Sequence, residues 1–301
     1  MTLSIGYYFI FTVLLLTIST RPVDGHFFNW LWHKIEKVFN NEKVRTFSCG
    51  LSDYTQIIPS AIDQPRITGG ISATEHSWPW VVNIINLRSL KSCGGTIVSH
   101  DTVITAAHCI VDDIDMIKVI AGAHNLFGRL NLFNYYSIAS YIIHPDYVNC
   151  CDYDLAVIKM KKSFERSETI NTICLPTNKN EQLKMNTPAI TVGWGGKFHS
   201  GSLNSFGSFS LKQGLVNIKS ADYCKQTYST FNPIDELCAT NLVDNVDARE
   251  GDSGGALMVK NQTDNRWYLY GVTSHGSNSE TIKPGVYSST INKLDFIDKY
   301  L

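Results

Sequence analysis

Neither sign of charge is in excess: 26 basic and 27 acidic side chains give a formal net charge of -1 over 301 residues. A nucleic-acid binder needs a basic stripe to meet the phosphates, so this balance argues against nucleic acid as a partner. Charge of any kind is sparse, at 18% of residues against 44% hydrophobic, which excludes a disordered or collagen-like chain and fits a folded one. After the amino terminus no apolar run is long enough to cross a bilayer. The eight cysteines, at 49, 93, 109, 150, 151, 174, 224 and 238, include no CxxC pair with a matching second pair. That argues against zinc and for disulfides made in an oxidising compartment, although the count leaves their pairing open.

What is present begins with an apolar run from about Tyr7 to Ile18. It is short for a membrane span and fits the core of a signal peptide over residues 1–25, which implies export. Val23 and Gly25 permit cleavage before His26, with Ser19 marking a second candidate. The stretch ahead of the run has no Lys or Arg, so an uncleaved anchor is the competing reading. Residues 26–66 read as a propeptide. Phe28, Leu31, Ile35 and Val38 recur at helical spacing, which predicts a short amphipathic helix that packs on the main body or meets a membrane surface or partner. From Asn40 to Gln64 no period is sustained, Pro59 interrupts and Pro65 follows directly, as in a linker.

From Ile67 the pattern changes. Short β-branched and aromatic runs recur at Val81–Ile85, Thr96–Val98, Val103–Thr105, Lys118–Ile120, Ala189–Val192, Ala256–Val259, Trp267–Thr273 and Gly285–Tyr287, separated by Gly, Asn, Ser and Pro. This predicts an all-β domain of barrels or sandwiches over residues 67–301. The last stretch, from Ile291, carries apolar residues at helical spacing and predicts a closing helix.

Three segments carry chemistry: Thr105-Ala-Ala-His108-Cys109, Asp152-Tyr-Asp154-Leu-Ala-Val-Ile158 and Gly251-Asp252-Ser253-Gly254-Gly255. A serine hydroxyl is hardly ionised at neutral pH and needs a neighbouring base, which a His supplies. A buried carboxylate fixes the tautomer of that His. Glycines beside the serine let backbone N–H groups approach a developing oxyanion, each donor contributing about 3 kcal/mol. In this order, and together with Ser77-Trp-Pro-Trp80, Cys93-Gly-Gly95, Val192-Gly-Trp-Gly195 and Pro284-Gly-Val-Tyr287, the chain from about Arg66 to its end resembles the trypsin-like (chymotrypsin-fold) serine proteases.

The resemblance implies two antiparallel Greek-key β-barrels, at about 67–180 and 181–301, followed by a C-terminal helix. It implies Ser253 as nucleophile, His108 as general acid–base and Asp154 as orienting carboxylate, with Asp152 the rival acid. The N–H groups of Gly251 and Ser253 would form the oxyanion hole. Arg66-Ile67 matches the activation site: cleavage there would free the Ile67 amine to pair with Asp252. Asp247 would floor the primary pocket between Gly276 and Gly285, favouring Arg or Lys, while Arg249 stands close enough to neutralise it in part. Three disulfides are implied, Cys93–Cys109, Cys224–Cys238 and Cys49–Cys174, the last keeping the propeptide attached. Protein or peptide substrates, an activating protease and serpin-type or other protein inhibitors are the expected partners, with no cofactor and no metal.

The chain also departs from the family. Two bridges are missing at both ends: Arg249 and Ser279 stand at one expected pair, Ala189 and Val259 at the other. A more mobile pocket is the expected consequence. His275 stands where a Trp is usual, and is either a pH-dependent subsite wall or a passive surface residue. Cys150 and Cys151 have no counterpart, so a vicinal bridge, a bond to another chain and free thiols all remain open. Ala123–Tyr136 contains no Asp or Glu, which argues against calcium. Asn261-Gln-Thr263 is a glycosylation sequon. The competing function is a catalytically weak or inactive homologue that acts as a binding or regulatory module.

Overall fold

The computed structural model describes residues 48–58, 70–111, 113–126, 135–148, 151–179, 183–195, 208–240, 251–276 and 283–301. The leader, the helix expected at 26–39, Arg66, Ile67, Asp247, Arg249, Cys150 and Ser279 lie outside them.

The first strand, β1 (Ile71–Ser72), crosses to a partner far along the chain, as described below. The next six strands are β2 (Val81–Asn86), β3 (Ser92–Ser99), β4 (Thr102–Thr105), β5 (Ile117–Ala121), β6 (Tyr135–Ile143) and β7 (Ala156–Met160). They close into an antiparallel barrel in the order β2-β3-β4-β7-β6-β5. Their side chains explain why: Val82, Ile84, Ile97, Val103, Ile104, Val119 and Ile158 are β-branched, suit a pleated backbone and fill one buried cluster. Along β5 burial alternates, with Ile117, Val119 and Ala121 inside, the period of a strand with one face on a core.

A second set of six follows: β8 (Pro188–Gly193), β9 (Lys212–Ile218), β10 (Glu236–Thr240), β11 (Ala256–Lys260), β12 (Trp267–His275) and β13 (Gly285–Ser289). They run β8-β9-β10-β13-β12-β11, and β11 pairs back with β8 to close a second antiparallel barrel. β1 joins this sheet through Ser72 opposite Lys212 in β9. The expected division at residue 180 is therefore crossed by the strand at 71–72. It is crossed again at the other end. Helix α1 (Ala221–Thr227) is capped by Ser220, whose hydroxyl accepts from Tyr223 N–H, and α2 (Leu294–Asp298) follows a 3-10 turn at Ile291–Lys293. Ile291 and Leu294 pack in the second barrel's core, whereas Phe296 and Ile297 join the cluster that fills the first.

Two tryptophans link the barrels. Trp78 Nε1 donates to Gln213 Oε1 at 2.8 Å, and the fully buried Trp80 approaches Met258 Sδ at 3.0 Å. Three disulfides are present, Cys49–Cys174, Cys93–Cys109 and Cys224–Cys238, with Cα separations of 4.8, 6.1 and 6.2 Å. Cys151 is disulfide-bonded as well, to a partner outside the described residues, so the free-thiol reading does not hold for it.

Candidate active site

Strand register explains how residues far apart in sequence meet. Thr105, the last residue of β4, lies opposite Ala156, the first of β7. The chain leaving one strand and the chain entering the other therefore run side by side. His108 sits in the 3-10 turn just after β4, Asp154 just before β7. The Nδ1 atom of His108 is 2.7 Å from Asp154 Oδ2, and the backbone N–H of His108 donates to Oδ1 at 3.0 Å. Ser274 Oγ adds a third donor, at 2.6 Å from Oδ2. Asp154 is 1% exposed, so burial disfavours its charge; the hydrogen bonds and charge of His108 and the Ser274 hydroxyl outweigh this and lower its pKa. A charged carboxylate accepting these bonds holds the ring with Nδ1 as donor and leaves Nε2 free to act as a base. Asp152 is not at the histidine: its carboxylate accepts from Asn232 Nδ2 at 3.3 Å.

The second barrel brings Ser253 to the same junction. Ala256 opens β11 opposite Val272 of β12, so Ser253, three residues before, and Ser274, two residues after, leave the same end of one strand pair. Ser253 is fixed to the first barrel by its carbonyl, which accepts from Gly94 N–H at 2.7 Å. Gly94 adjoins Cys93, and Cys93 is bridged to Cys109, the residue after His108. Gly254 has φ +79°, and a Cβ there would lie 2.2 Å from Thr105 Oγ1 and 2.4 Å from the Gly94 carbonyl. Only glycine lets the serine turn sit this close to the strand that delivers His108.

The carboxylate of Asp252 lies against Gly195, whose N–H donates to its Oδ1 at 2.7 Å, and a Cβ on Gly195 would come within 2.4 Å of the Asp252 Cγ. Gly276 is exposed just beyond β12, and Gly285 opens β13, two strands that are neighbours through His275 opposite Val286. His275 is not a passive surface residue. It is half-buried, with its ring edge-on to Tyr228 at 5.8 Å and its Nδ1 3.3 Å from Ser274 Oγ; burial lowers its pKa. Ala189 and Val259 are both buried in the second core, so apolar packing replaces that missing bridge. Asn261 sits in the turn between β11 and β12, with Gln262 and Thr263 exposed. Among the described residues one group of potential metal ligands occurs, Cys93, His108 and Cys109, and its two cysteines are bonded to each other.

Sequence reasoning missed several residues behind the site. Ser274, Asp235, Glu236 and Lys293 are not singled out by any motif, and all four are buried. Glu236 has its pKa raised to about 7, chiefly by burial, with Asp235 and Asp152 adding to the effect; its Oε1 is 3.9 Å from His275 Nδ1. No signal in the neighbouring residues marks these four as buried.

The comparisons with known proteins agree with this geometry. The family described as Trypsin matches residues 67–297, more than half of the chain. Venom serine protease Bi-VSP of Bombus ignitus is 30% identical over 279 residues, 84% of this chain and 71% of that protein. Serine proteinase stubble of Drosophila melanogaster is 33% identical over 260 residues, 81% of this chain and 32% of that protein. The mouse (Mus musculus) atrial natriuretic peptide-converting enzyme is 30% identical over 250 residues, and this chain spans 22% of its length. The chain belongs to the trypsin family of serine proteases. It spans less than a quarter of the length of the first of the curated relatives it matches.

Proposed function

We propose that the enzyme hydrolyses peptide bonds through Ser253, His108 and Asp154, after Arg or Lys, and that it is exported as a precursor activated by cleavage after Arg66. The observation that carries the triad is the buried Asp154 gripping His108 at 2.7 Å while the Ser253 turn is bonded to the strand beside it. Ser253 Oγ attacks the substrate carbonyl carbon as His108 Nε2 takes its proton. Asp154 keeps the ring oriented and stabilises the imidazolium. The oxygen that becomes negative is met by the N–H groups of Gly251 and Ser253, and the positive φ of both Gly251 and Gly254, +93° and +79°, suits a turn with its amides turned to one side. The imidazolium then protonates the departing amine, and the same His activates a water that cleaves the acyl-enzyme.

Specificity for Arg or Lys would rest on Asp247, which the family resemblance assigns to the pocket floor with Gly276 and Gly285 as its walls: a carboxylate at the floor of a glycine-walled slot selects a long cation. Activation rests on Asp252: a new Ile67 ammonium would pair with this carboxylate and order the turn that carries the oxyanion donors. The segment before the cut would remain attached through Cys49–Cys174 and through Gly50, which exchanges hydrogen bonds with Thr172 and Trp267. The disulfides and the apolar leader support secretion, Asn261 is the candidate glycan site, and an activating protease and serpin-type inhibitors are the partners such an enzyme would meet.

Treatment of the Arg66-cleaved protein with a serine-directed phosphonate tests the reading. Stoichiometric labelling of Ser253, and its loss in Ser253→Ala with a fall in kcat of about 10⁶-fold, are expected. An unlabelled, correctly cleaved protein would instead identify a binding or regulatory homologue. Cleavage of a peptide library then reads specificity, and products lacking Arg or Lys at the cut would overturn the Asp247 assignment.

A further inference from the structure

The Asp154 turn is strained, and its own hydrogen bonds do not explain what holds it. Tyr153, the residue before Asp154, has φ 53°, in the left-handed region where a side chain costs about 1–2 kcal/mol. Its carbonyl accepts from Leu155 N–H at 2.7 Å, so the chain turns sharply at this point. Such a conformation persists only where the surroundings impose it. Three groups from elsewhere in the chain surround it. Asp235 Oδ2, at the entry to β10, accepts from the Tyr153 N–H at 2.6 Å. The ring of Tyr153 stacks on His144 at 4.8 Å and 19°. Lys293, in the turn before α2, places its Nζ 5.4 Å from the centre of the same ring.

Lys293 is the one buried Lys or Arg among the described residues, at 2% exposure, and Asp235 is 1% exposed. Their side chains form an ion pair, and Lys293 Nζ also donates to the carbonyls of Asp235 at 3.0 Å and Ser289 at 3.2 Å. A buried carboxylate without a cation is strongly disfavoured, and one neutralised by protonation is a poorer acceptor. The lysine therefore supplies the countercharge to Asp235, whose other oxygen grips the Tyr153 amide. We infer that Lys293 and Asp235 are positioning residues that hold the Asp154 carboxylate in register with His108 through the backbone of Tyr153.

The other ionisable groups facing the pair fit this role. Asp154 and Glu236 favour the charged lysine, against the burial that lowers its pKa. The pKa of His144, which stacks on Tyr153, is also lowered, by burial and by the charge of Lys293, with Asp146, Asp235 and Lys299 acting on it as well. Neither Lys293 nor Asp235 needs to touch substrate.

The inference rests on the triad reading above, and phosphonate labelling of the wild type at Ser253 tests that reading separately. Two double variants, both free of the buried charges, test the inference. Lys293→Met/Asp235→Asn keeps an oxygen for the Tyr153 amide, and Lys293→Met/Asp235→Leu removes it. With kcat counted per labelled Ser253, the Leu double is expected to be at least about tenfold slower than the Asn double at similar KM. Equal kcat values overturn the inference, as does a change confined to KM. Should the Leu double fail to fold, Lys293→Met alone decides. Removing a positive charge beside Asp154 favours the protonated imidazole, so the acid limb of the kcat/KM profile moves to higher pH; an unmoved limb with unchanged kcat overturns the inference.

Discussion

The two barrels share strand number and closure, yet their interiors differ in kind. The first is filled by Val82, Ile84, Ile97, Val103, Ile104, Val119 and Ile158, and among the described residues it buries the carboxylate that grips His108 and the ring of His144. The second buries Gln213, Asp235, Glu236, Thr240, Ser274, Ser288, Ser289 and Lys293 around its walls. An aliphatic interior derives its stability from area removed from water and is indifferent to pH. An interior with ionisable groups depends on their pairing and on protonation. The His108–Asp154 pair is thus mounted on the more aliphatic barrel, and the serine turn, the Ser274 support and the Asp235–Lys293 pair on the one with more buried polar and ionisable groups.

That contrast can be broken by mutation. The largest effect is expected from Asp154→Asn: the amide presents the wrong hydrogen-bonding pattern to His108, so kcat should fall about 10⁴-fold with the fold retained. Burst kinetics alongside thermal melting check this, and a loss accompanied by unfolding would show that the first barrel too depends on its buried charge. Next comes Ser274→Ala, which removes the second barrel's donor to the same carboxylate. A hydrogen bond to a charged group contributes about 1.5–3 kcal/mol, so a kcat loss of about 10–100-fold is expected. A loss as large as that of Asp154→Asn would erase the distinction between gripping and supporting barrels.

The smallest effect concerns stability and not turnover. Burial raises the pKa of Glu236 from 4.5 to about 7. Below the lower value the carboxyl is protonated in folded and unfolded chains alike, and it costs nothing. Between the two the unfolded chain releases the proton first, so stability falls as pH rises; above the upper value the full penalty applies, on the order of 3 kcal/mol. Glu236→Gln removes it. The variant should melt higher than wild type at about pH 8 and alongside it at about pH 4, and equal melting at both would remove the second barrel's claim to pH sensitivity.

Local sequence determined much of this protein. The β-branched runs at Val81–Ile85, Val103–Thr105 and Ala256–Val259 became strands, because a pattern of apolar side chains acts through the backbone of the same few residues. β9 and β10 escaped notice, since Gly214, Asn217, Glu236 and Cys238 carry little strand preference and are held in place by neighbours in the sheet. His108 and Ser253 were legible from the short motifs around them. The resemblance already favoured Asp154 over Asp152, because it directly precedes the apolar run Leu155–Ile158, and the structure has Asp154 at His108 and Asp152 beside Asn232. Tertiary structure alone made Ser274 a ligand of that carboxylate, turned Glu236 into an acid titrating near neutrality and enclosed Lys293 with Asp235. Whether a polar side chain is solvated or buried depends on what packs against it, and here those partners are distant in sequence, Asp154 at Ser274 and Tyr153 at Lys293.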